Sequence, residues 1–230
     1  MDLSTFTPGS ALVTVILLAL APFVAVMVTS FTKIVVVLSL LRNALGLQQV
    51  PPNVVLNGMA LILTAYVMYP TLQQMSEAAG YSKPVATMPG DETINDSPLE
   101  DSEAIFSTAD RAKEPLRQFL VKHSDPRERQ FFLATQKKIS GPQRGATVTD
   151  KDFIVLIPAF VVKELTVAFQ IGFLIFLPFL VIDMVISNIL MAMGMMMLSP
   201  VTISLPFKIL LFVLIDGWVQ LSHSLVTSYV

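Results

Sequence analysis

The sequence has no cysteine, and only two of its 230 residues are histidine. Without thiols the chain forms no disulfide, no covalent haem attachment and no thiolate metal site. His123 and His223 stand in separate parts of the sequence, and no HExxH, GxSxG, Walker or dinucleotide-binding pattern is present. We therefore expect no catalytic residue, no metal and no cofactor.

Charge is also scarce. Only 14% of the residues are charged, 53% are hydrophobic, and the mean hydropathy is +0.68, which is typical of a membrane protein. The net charge of −2 argues against nucleic acid as a partner, because a phosphate-binding surface requires an excess of lysine and arginine.

The few charges are unevenly placed. Four of the 17 acidic residues lie outside residues 73–152: Asp2, Glu164, Asp183 and Asp216. The sequence therefore predicts a hydrophobic helical block over 1–72, a polar insert over 73–152, and a second hydrophobic helical block over 153–230.

In the first block, Ser10 to Phe31 is an uncharged run long enough to cross about 30 Å of hydrocarbon. Residues 34–41 are too few to span, and either extend this helix or turn back beside it. Gly46 and Pro51-Pro52 then indicate a helix end and a turn, before a further helix over about 54–72.

Lys33 and Arg42 are the only charges between residues 3 and 76. By the positive-inside rule their connection is cytoplasmic, which puts the insert on the opposite side of the membrane. The first ten residues lack the basic region of a signal peptide, so we expect the apolar run that follows to be retained.

The insert has two parts. Residues 84–105 are rich in acid, Pro, Ser and Thr, and we expect them to be mobile, since they cannot bury enough surface to offset their ordering entropy. Residues 109–139 have apolar positions at helical spacing and a restart at Ser124-Asp125-Pro126, which predicts a small helical hairpin.

The second block is interrupted by prolines. It predicts helices over roughly 153–177, 179–196 and 205–228, with a kink or boundary at Pro178 and with Ser204 as the N-cap of the last helix.

Five charges lie inside this apolar block: Lys163, Glu164, Asp183, Lys208 and Asp216. Each would cost about 3 kcal/mol or more if it faced lipid at mid-depth, so each must face protein, water or another charge. In one interpretation Glu164 or Asp183 pairs with Lys208 across a helix or subunit contact. In another the acids relay protons, as in secondary transporters.

The near balance of acids and bases favours pairing. For Asp216, which precedes Gly217, a local hydrogen-bonded corner is a further interpretation. An intramembrane aspartyl protease would use Asp183 with Asp216, but their flanks lack a glycine-bearing catalytic loop.

Five methionines fall within residues 191–197. Unbranched methionines often fill gaps in a core, which is the simplest interpretation. Gly194 and Pro200, however, place Met195 to Ser199 at or just past a helix end, in an apolar loop. Because non-helical backbone at membrane depth is tolerated only where protein buries it or where it lines a cavity, this loop is a candidate for lining a lumen.

Four stretches then carry a resemblance: LRNALGLQQVPPN (41–53), FQIGFLIFLPFLVIDMV (169–185), MAMGMMMLSPVTISLPFK (191–208) and FVLIDGW (212–218). Together they resemble the R component of the type III secretion export apparatus, the homologue of flagellar biosynthesis protein P. The QQVPPN form is more similar to the virulence injectisome branch than to the flagellar one.

The resemblance implies an all-α, multi-pass protein of the bacterial inner membrane whose insert is periplasmic. It implies helical hairpins that assemble in five copies with the S and T components, next to the export-gate and inner-ring proteins, into a pore for unfolded secreted proteins. It also implies that Met195, Met196 and Met197 form a gasket that closes the pore, and that Glu164 and Lys208 pair between neighbouring subunits.

Two other functions remain open at this point. A proton-coupled transporter of small solutes would use Asp183 and Asp216, and it predicts an inverted repeat that the sequence does not show. A passive membrane scaffold would need no gasket, so leucine would replace every methionine without effect.

Overall fold

The computed structural model describes residues 8–47, 49–80, 102–145, 147–195 and 197–230. Over these ranges the chain forms α-helices and no strand, which confirms the all-α prediction. The helices are α1 (Pro8–Met27), α2 (Phe31–Ala44), α3 (Asn53–Ala78), α4 (Ser102–His123), α5 (Pro126–Gly145), α6 (Phe153–Ala192), α7 (Pro200–Leu214) and α8 (Gly217–Thr227).

The chain divides into two compact units. The first unit comprises Met1–Thr64 and Glu164–Val230, and the second comprises Ala65–Lys163. Helices α3 and α6 each contribute residues to both units. The three-part division at residues 72 and 152 follows polarity rather than packing, and it stays a prediction.

Helix α2 lies at the centre of the first unit. It is separated from α1 by a break at Val28–Ser30, where the Thr32 hydroxyl donates to the Val26 carbonyl at 3.1 Å and satisfies an end of α1. The run predicted to be one helix to Phe31 is therefore divided, because side-chain bonding at the break replaces helical bonds. Whether α1 crosses the membrane stays a prediction.

One side of α2 is fully enclosed. Its buried apolar residues recur at helical spacing and join a core with residues of four other helices: Ile34, Val37, Leu38, Leu41 and Ala44 from α2, Leu56 and Ala60 from α3, Ala168 and Phe179 from α6, Phe212 from α7, and Leu221 and Leu225 from α8. An apolar stretch too short to span is thus a core helix of this unit.

Helix α6 is continuous from Phe153 to Ala192, so a helix boundary at Pro178 is wrong, while a kink there stays a prediction. Forty residues of α-helix measure about 60 Å, roughly twice the hydrocarbon thickness. Proline is tolerated inside such helices where neighbouring helices and local adjustments satisfy the carbonyl that loses its donor.

Helix α7 begins at Pro200, not at residue 205, and the prediction of Ser204 as its N-cap is wrong. Ser199 takes the cap position with extended backbone (φ −69°, ψ 118°), since a proline in the first turn needs no N–H partner. The last predicted helix is also divided: α7 and α8 meet at a bend of 60°.

The two helices predicted in the insert are present as α4 and α5 of the second unit, and their pairing as a hairpin stays a prediction. Asp125 caps α5, since its carboxylate accepts the Arg127 backbone N–H at 2.8 Å. The Phe119 ring packs 5.8 Å from the Phe160 ring of α6. Of the stretch predicted to be mobile, residues 84–101 lie outside the described residues, and 102–105 begin α4.

Within the described ranges, α3 and α6 are long and apolar enough to cross a membrane, and α7 with α8 make a third candidate if the bent pair forms one span. These helices fit an inner-membrane protein. The side of the membrane on which the insert lies stays a prediction.

Close packing of α2 on α6 depends on Gly172, because an added Cβ would lie 2.3 Å from Leu40 Cδ1. We predict that Gly172→Ala destabilises the protein by about 2 kcal/mol through overpacking. Gly58→Ala is the control, since nothing lies within 4 Å of a Cβ there and alanine favours helix. Thermal unfolding of both variants in detergent provides the measurement, and equal midpoints would contradict the packing argument.

Candidate functional site

Residues 193–199 connect α6 to α7 and are called the methionine loop. Met195 is 43% exposed and Met197 is fully exposed, while Met196 lies outside the described residues. Leu198 is exposed as well. The structure therefore has the apolar loop that the sequence predicts, and it presents apolar side chains outward instead of into the core of this chain.

The direction of this loop is fixed by how α6 ends. Gly194 has a positive φ of 74°, its N–H bonds the Met191 carbonyl at 3.0 Å, and the Met195 N–H bonds the Leu190 carbonyl at 2.9 Å. This is the Schellman arrangement, in which a glycine reverses the chain and satisfies the last carbonyls. The methionines after Gly194 thus leave the helix at a defined point.

The helices on either side of the loop are joined by polar groups around the buried Lys208, which we call the Lys208 cluster: Asp183, Ser204, Lys208 and the Ala44 carbonyl. Lys208 Nζ lies 2.6 Å from Asp183 Oδ2 and 3.5 Å from the Ala44 oxygen, and it is only 3% exposed. The Ser204 hydroxyl donates to Asp183 Oδ1 at 2.5 Å. Asp183 therefore holds two residues of α7 at once.

The spacing on α7 explains this geometry. Ser204 and Lys208 are four residues apart and share one helix face, so both reach a single carboxylate. Ala44 is the last residue of α2, where the partial negative charge of a helix end favours a cation. Of the two pairings left open by the sequence, the one with Asp183 is present within the chain.

Glu164 belongs to a second cluster, with Lys33 and Tyr229. Lys33 Nζ lies 3.7 Å from Glu164 Oε2 and 3.4 Å from the centre of the Tyr229 ring, an ion pair combined with a cation–π contact. The Tyr229 hydroxyl donates to the Glu164 carboxylate. Burial raises the pKa of Tyr229, and the Glu164 charge raises it further, so the hydroxyl stays a protonated donor.

Lys33 and Tyr229 were not predicted as site residues. Lys33 was used only to predict which loop is cytoplasmic. A single charge within an apolar stretch is also what a buried ion pair would produce, and this was the sequence signal that could have identified it. The predicted pairing of Glu164 with Lys208 is between neighbouring subunits. Since it concerns an assembly of copies, it stays a prediction.

Asp216 forms the bend between α7 and α8. It has a left-handed backbone (φ 50°, ψ 44°), its N–H bonds the Val213 carbonyl at 3.1 Å, and its carbonyl accepts the Gln220 N–H at 3.0 Å. The corner is therefore made by backbone groups, beside an apolar cavity of about 250 Å³ lined by Leu41, Ile175, Pro178, Phe179, Phe212 and Leu221 among others. Asp183, by contrast, is paired with Lys208.

Within the part of the chain that the structure describes, no group of three or more acidic, histidine or cysteine side chains could hold a metal ion.

We predict that Asp183→Asn destabilises the protein by about 3 kcal/mol, because it leaves the Lys208 ammonium buried without its counter-charge. Adding Lys208→Met should recover part of this loss. Asp110→Asn is the control, since its ion pair with Lys113 is exposed and worth little. Thermal unfolding in detergent measures all three. If Asp183→Asn behaves like Asp110→Asn, the Lys208 cluster does not stabilise this fold.

Comparison with known proteins identifies the group to which the chain belongs. The model of the FliP family matches residues 13–225. The chain is 49% identical to "Yop proteins translocation protein R" of Yersinia pestis over 216 residues, 93% of this chain and 92% of the relative. It is 46% identical to "Hypersensitivity response secretion protein HrcR" of Ralstonia nicotianae over 96% of this chain and 97% of the relative.

A flagellar relative matches over a similar length. The chain is 42% identical to "Flagellar biosynthetic protein FliP" of Bacillus subtilis over 92% of this chain and 87% of the relative. A family model that covers nearly the whole sequence, together with relatives at these identities, shows that the chain belongs to the FliP family, as its motifs predicted.

Proposed function

We propose that this chain is a pore-forming subunit of the type III protein export apparatus, conducting unfolded proteins across the bacterial inner membrane. Its membership of the FliP family and relatives named for secretion, translocation and flagellar biosynthesis support a role in protein export. The apolar, exposed methionine loop supports the narrower role of lining and closing a pore.

The single observation that carries this proposal is an apolar loop held at a fixed place. The loop exposes Met195 and Met197, while the helices on both sides of it are tied together by the ion pair of the buried Lys208 with the partly exposed Asp183. The flexible methionine side chains therefore project outward from two helices, α6 and α7, whose relative position is fixed. A loop that served only to connect helices would be expected to carry polar residues.

Methionine has the physical properties that a closing ring needs. An export pore must pass chains of varying width and hold back ions at rest. Unbranched, polarisable side chains can repack around a passing segment, whereas β-branched residues are stiff at χ1. A narrow apolar constriction also closes to ions by dewetting. Five copies of the loop would supply fifteen methionines from Met195, Met196 and Met197.

The proposal includes an assembly. The partners are five copies of this chain, the S and T components, and the export-gate and inner-ring proteins, with the insert on the periplasmic side. Large apolar side chains along α6 are exposed in the single chain, among them Phe169, Phe173, Leu174, Leu177 and Val181. An apolar surface of this extent requires lipid or other subunits against it.

We predict that replacing Met195, Met196 and Met197 with alanine raises the resting ion conductance of the assembled complex, because smaller side chains leave the constriction open. The control replaces Met184 and Met191 with alanine, since both are exposed but lie on α6 and not in the loop. Conductance is measured across planar bilayers, and assembly is checked by native mass spectrometry.

Unchanged conductance in the intact triple-alanine complex would exclude the closing role. Leucine at the same three positions distinguishes the pore from a passive scaffold, because the scaffold interpretation expects export to be unchanged by this replacement. A solute transporter would instead produce solute-dependent proton flux from this protein alone. The stoichiometry of the purified complex addresses both alternatives, because neither requires five identical copies with foreign subunits.

We further predict that charge reversal of Glu164 or Lys208 weakens the pentamer, and that the double change Glu164→Lys with Lys208→Glu partly restores it. Each residue also has a partner within the chain, so the matched control is Asp183→Lys with Lys208→Asp, which restores only the intrachain pair. Native mass spectrometry measures the pentamer fraction. Recovery in the control pair alone would show that Lys208 acts within one subunit.

A further inference from the structure

Helices α2 and α6 end in the same way. At the end of α2, Gly46 has a φ of +78°, its N–H bonds the Asn43 carbonyl at 3.0 Å, and the Leu47 N–H bonds the Arg42 carbonyl at 3.2 Å. At the end of α6 the Gly194 and Met195 N–H groups make the equivalent pair of bonds, to the Met191 and Leu190 carbonyls. Both helices therefore stop at a glycine that turns the chain sharply.

The end of α2 lies close to the beginning of α7. The Ala44 carbonyl is 3.5 Å from Lys208 Nζ, and a Cβ added to Gly46 would come to 3.7 Å from Val201 Cγ1 and 3.9 Å from Lys208 Nζ. Val201 is the second residue of α7, and α7 starts directly after the methionine loop. The end of α2 thus contacts α7 at Lys208, and the turn at Gly46 lies beside the first residues that follow the methionine loop.

Arg42 holds this turn in shape. One nitrogen of its guanidinium, Nη1, donates to the Asn53 side-chain oxygen and to the Pro51 carbonyl at 3.4 Å. Arg42 lies in the last turn of α2, and Asn53 is the first residue of α3. The connection between the two helices is therefore closed at its base by charge-assisted hydrogen bonds.

We propose that Arg42 is a positioning residue of the pore. It fixes the turn at Gly46 beside Val201, next to the contact of the Ala44 carbonyl with Lys208, and this placement sets the resting position of the methionine loop. Arg42 faces Asn53 and Pro51, and it acts on the loop through packing. The inference rests on the proposed function, because it assigns a further residue to the same closing site.

The first test is resting conductance of the assembled complex in planar bilayers. Arg42→Ala should raise it about tenfold, equivalent to about 1.4 kcal/mol lost from the closed state. Asn53→Ala should raise it to the same extent, and the double variant should be no leakier than either single one, because both remove one interaction. Arg42→Lys should have a smaller effect, since an ammonium still donates to one acceptor.

A merely structural role would lower stability and assembly, so both are measured in the same preparations. Native mass spectrometry should show an intact complex, and thermal unfolding should change little. Lys138→Ala is the control for loss of a positive charge, because Lys138 is exposed on α5. Leakage from that variant equal to that of Arg42→Ala would overturn the proposal.

The second test uses the absence of cysteine. Gly46→Cys with Val201→Cys introduces the only thiols of the chain, at two positions where a Cβ added to residue 46 lies 3.7 Å from Val201 Cγ1. In the Arg42→Ala background, oxidation should restore low conductance and reduction should bring the leak back. Gly46→Cys alone controls for strain at a positive φ. If the disulfide forms without reducing the leak, or does not form, the proposal fails.

The experiments distinguish failure of the positioning role of Arg42 from failure of the proposed pore function. If the triple methionine variant leaks and the Arg42 and Asn53 variants do not, the positioning role is wrong and the pore function stands. If the triple methionine variant does not leak, the pore function is wrong, while the disulfide still reports whether the turn at Gly46 contacts α7.

Discussion

A lysine ammonium within an apolar helical unit requires a partner, and the arrangement around the methionine loop depends on how Lys208 meets that requirement. The Asp183 carboxylate on α6 provides the counter-charge, and the Ala44 carbonyl at the end of α2 accepts a second contact from the ammonium. Because an unpaired buried charge is far more costly than a surface one, this contact permits few alternative positions of α7 on α6. The methionine loop joins these two helices, so its ends are placed by the same interaction.

The distribution of charged and apolar side chains in the first unit is the opposite of that in a water-soluble domain. Charged groups such as Lys33, Glu164 and Lys208 are buried, whereas apolar side chains such as Met197, Phe169 and Phe173 are exposed. Buried charges are tolerable because they are paired, and exposed apolar groups are tolerable where lipid or other subunits cover them. The same distribution supports a subunit of a larger membrane assembly.

Much of the fold could be predicted from the sequence, since apolar runs and helix-ending residues are local signals. Helix ends near Gly46 and Gly194 follow from the freedom of glycine at positive φ. Two local signals did not mark a helix boundary: α6 continues through Pro178, and Ser204 lies inside α7. The Ser204 hydroxyl bonds Asp183 on another helix instead of capping its own helix, and only packing supplies that partner.

The sequence by itself determined that the chain is helical, that it is apolar enough for a membrane, and that it has an apolar methionine loop after Gly194. These properties depend on composition and on residues that are close in the chain. Only the tertiary structure decided which charges meet. Lys33 and Tyr229 are almost two hundred residues apart, and the pairing of Glu164 with Lys33 and of Asp183 with Lys208 depends on how helices pack. Pairing of this kind leaves no local pattern, since either lysine could have neutralised either acid.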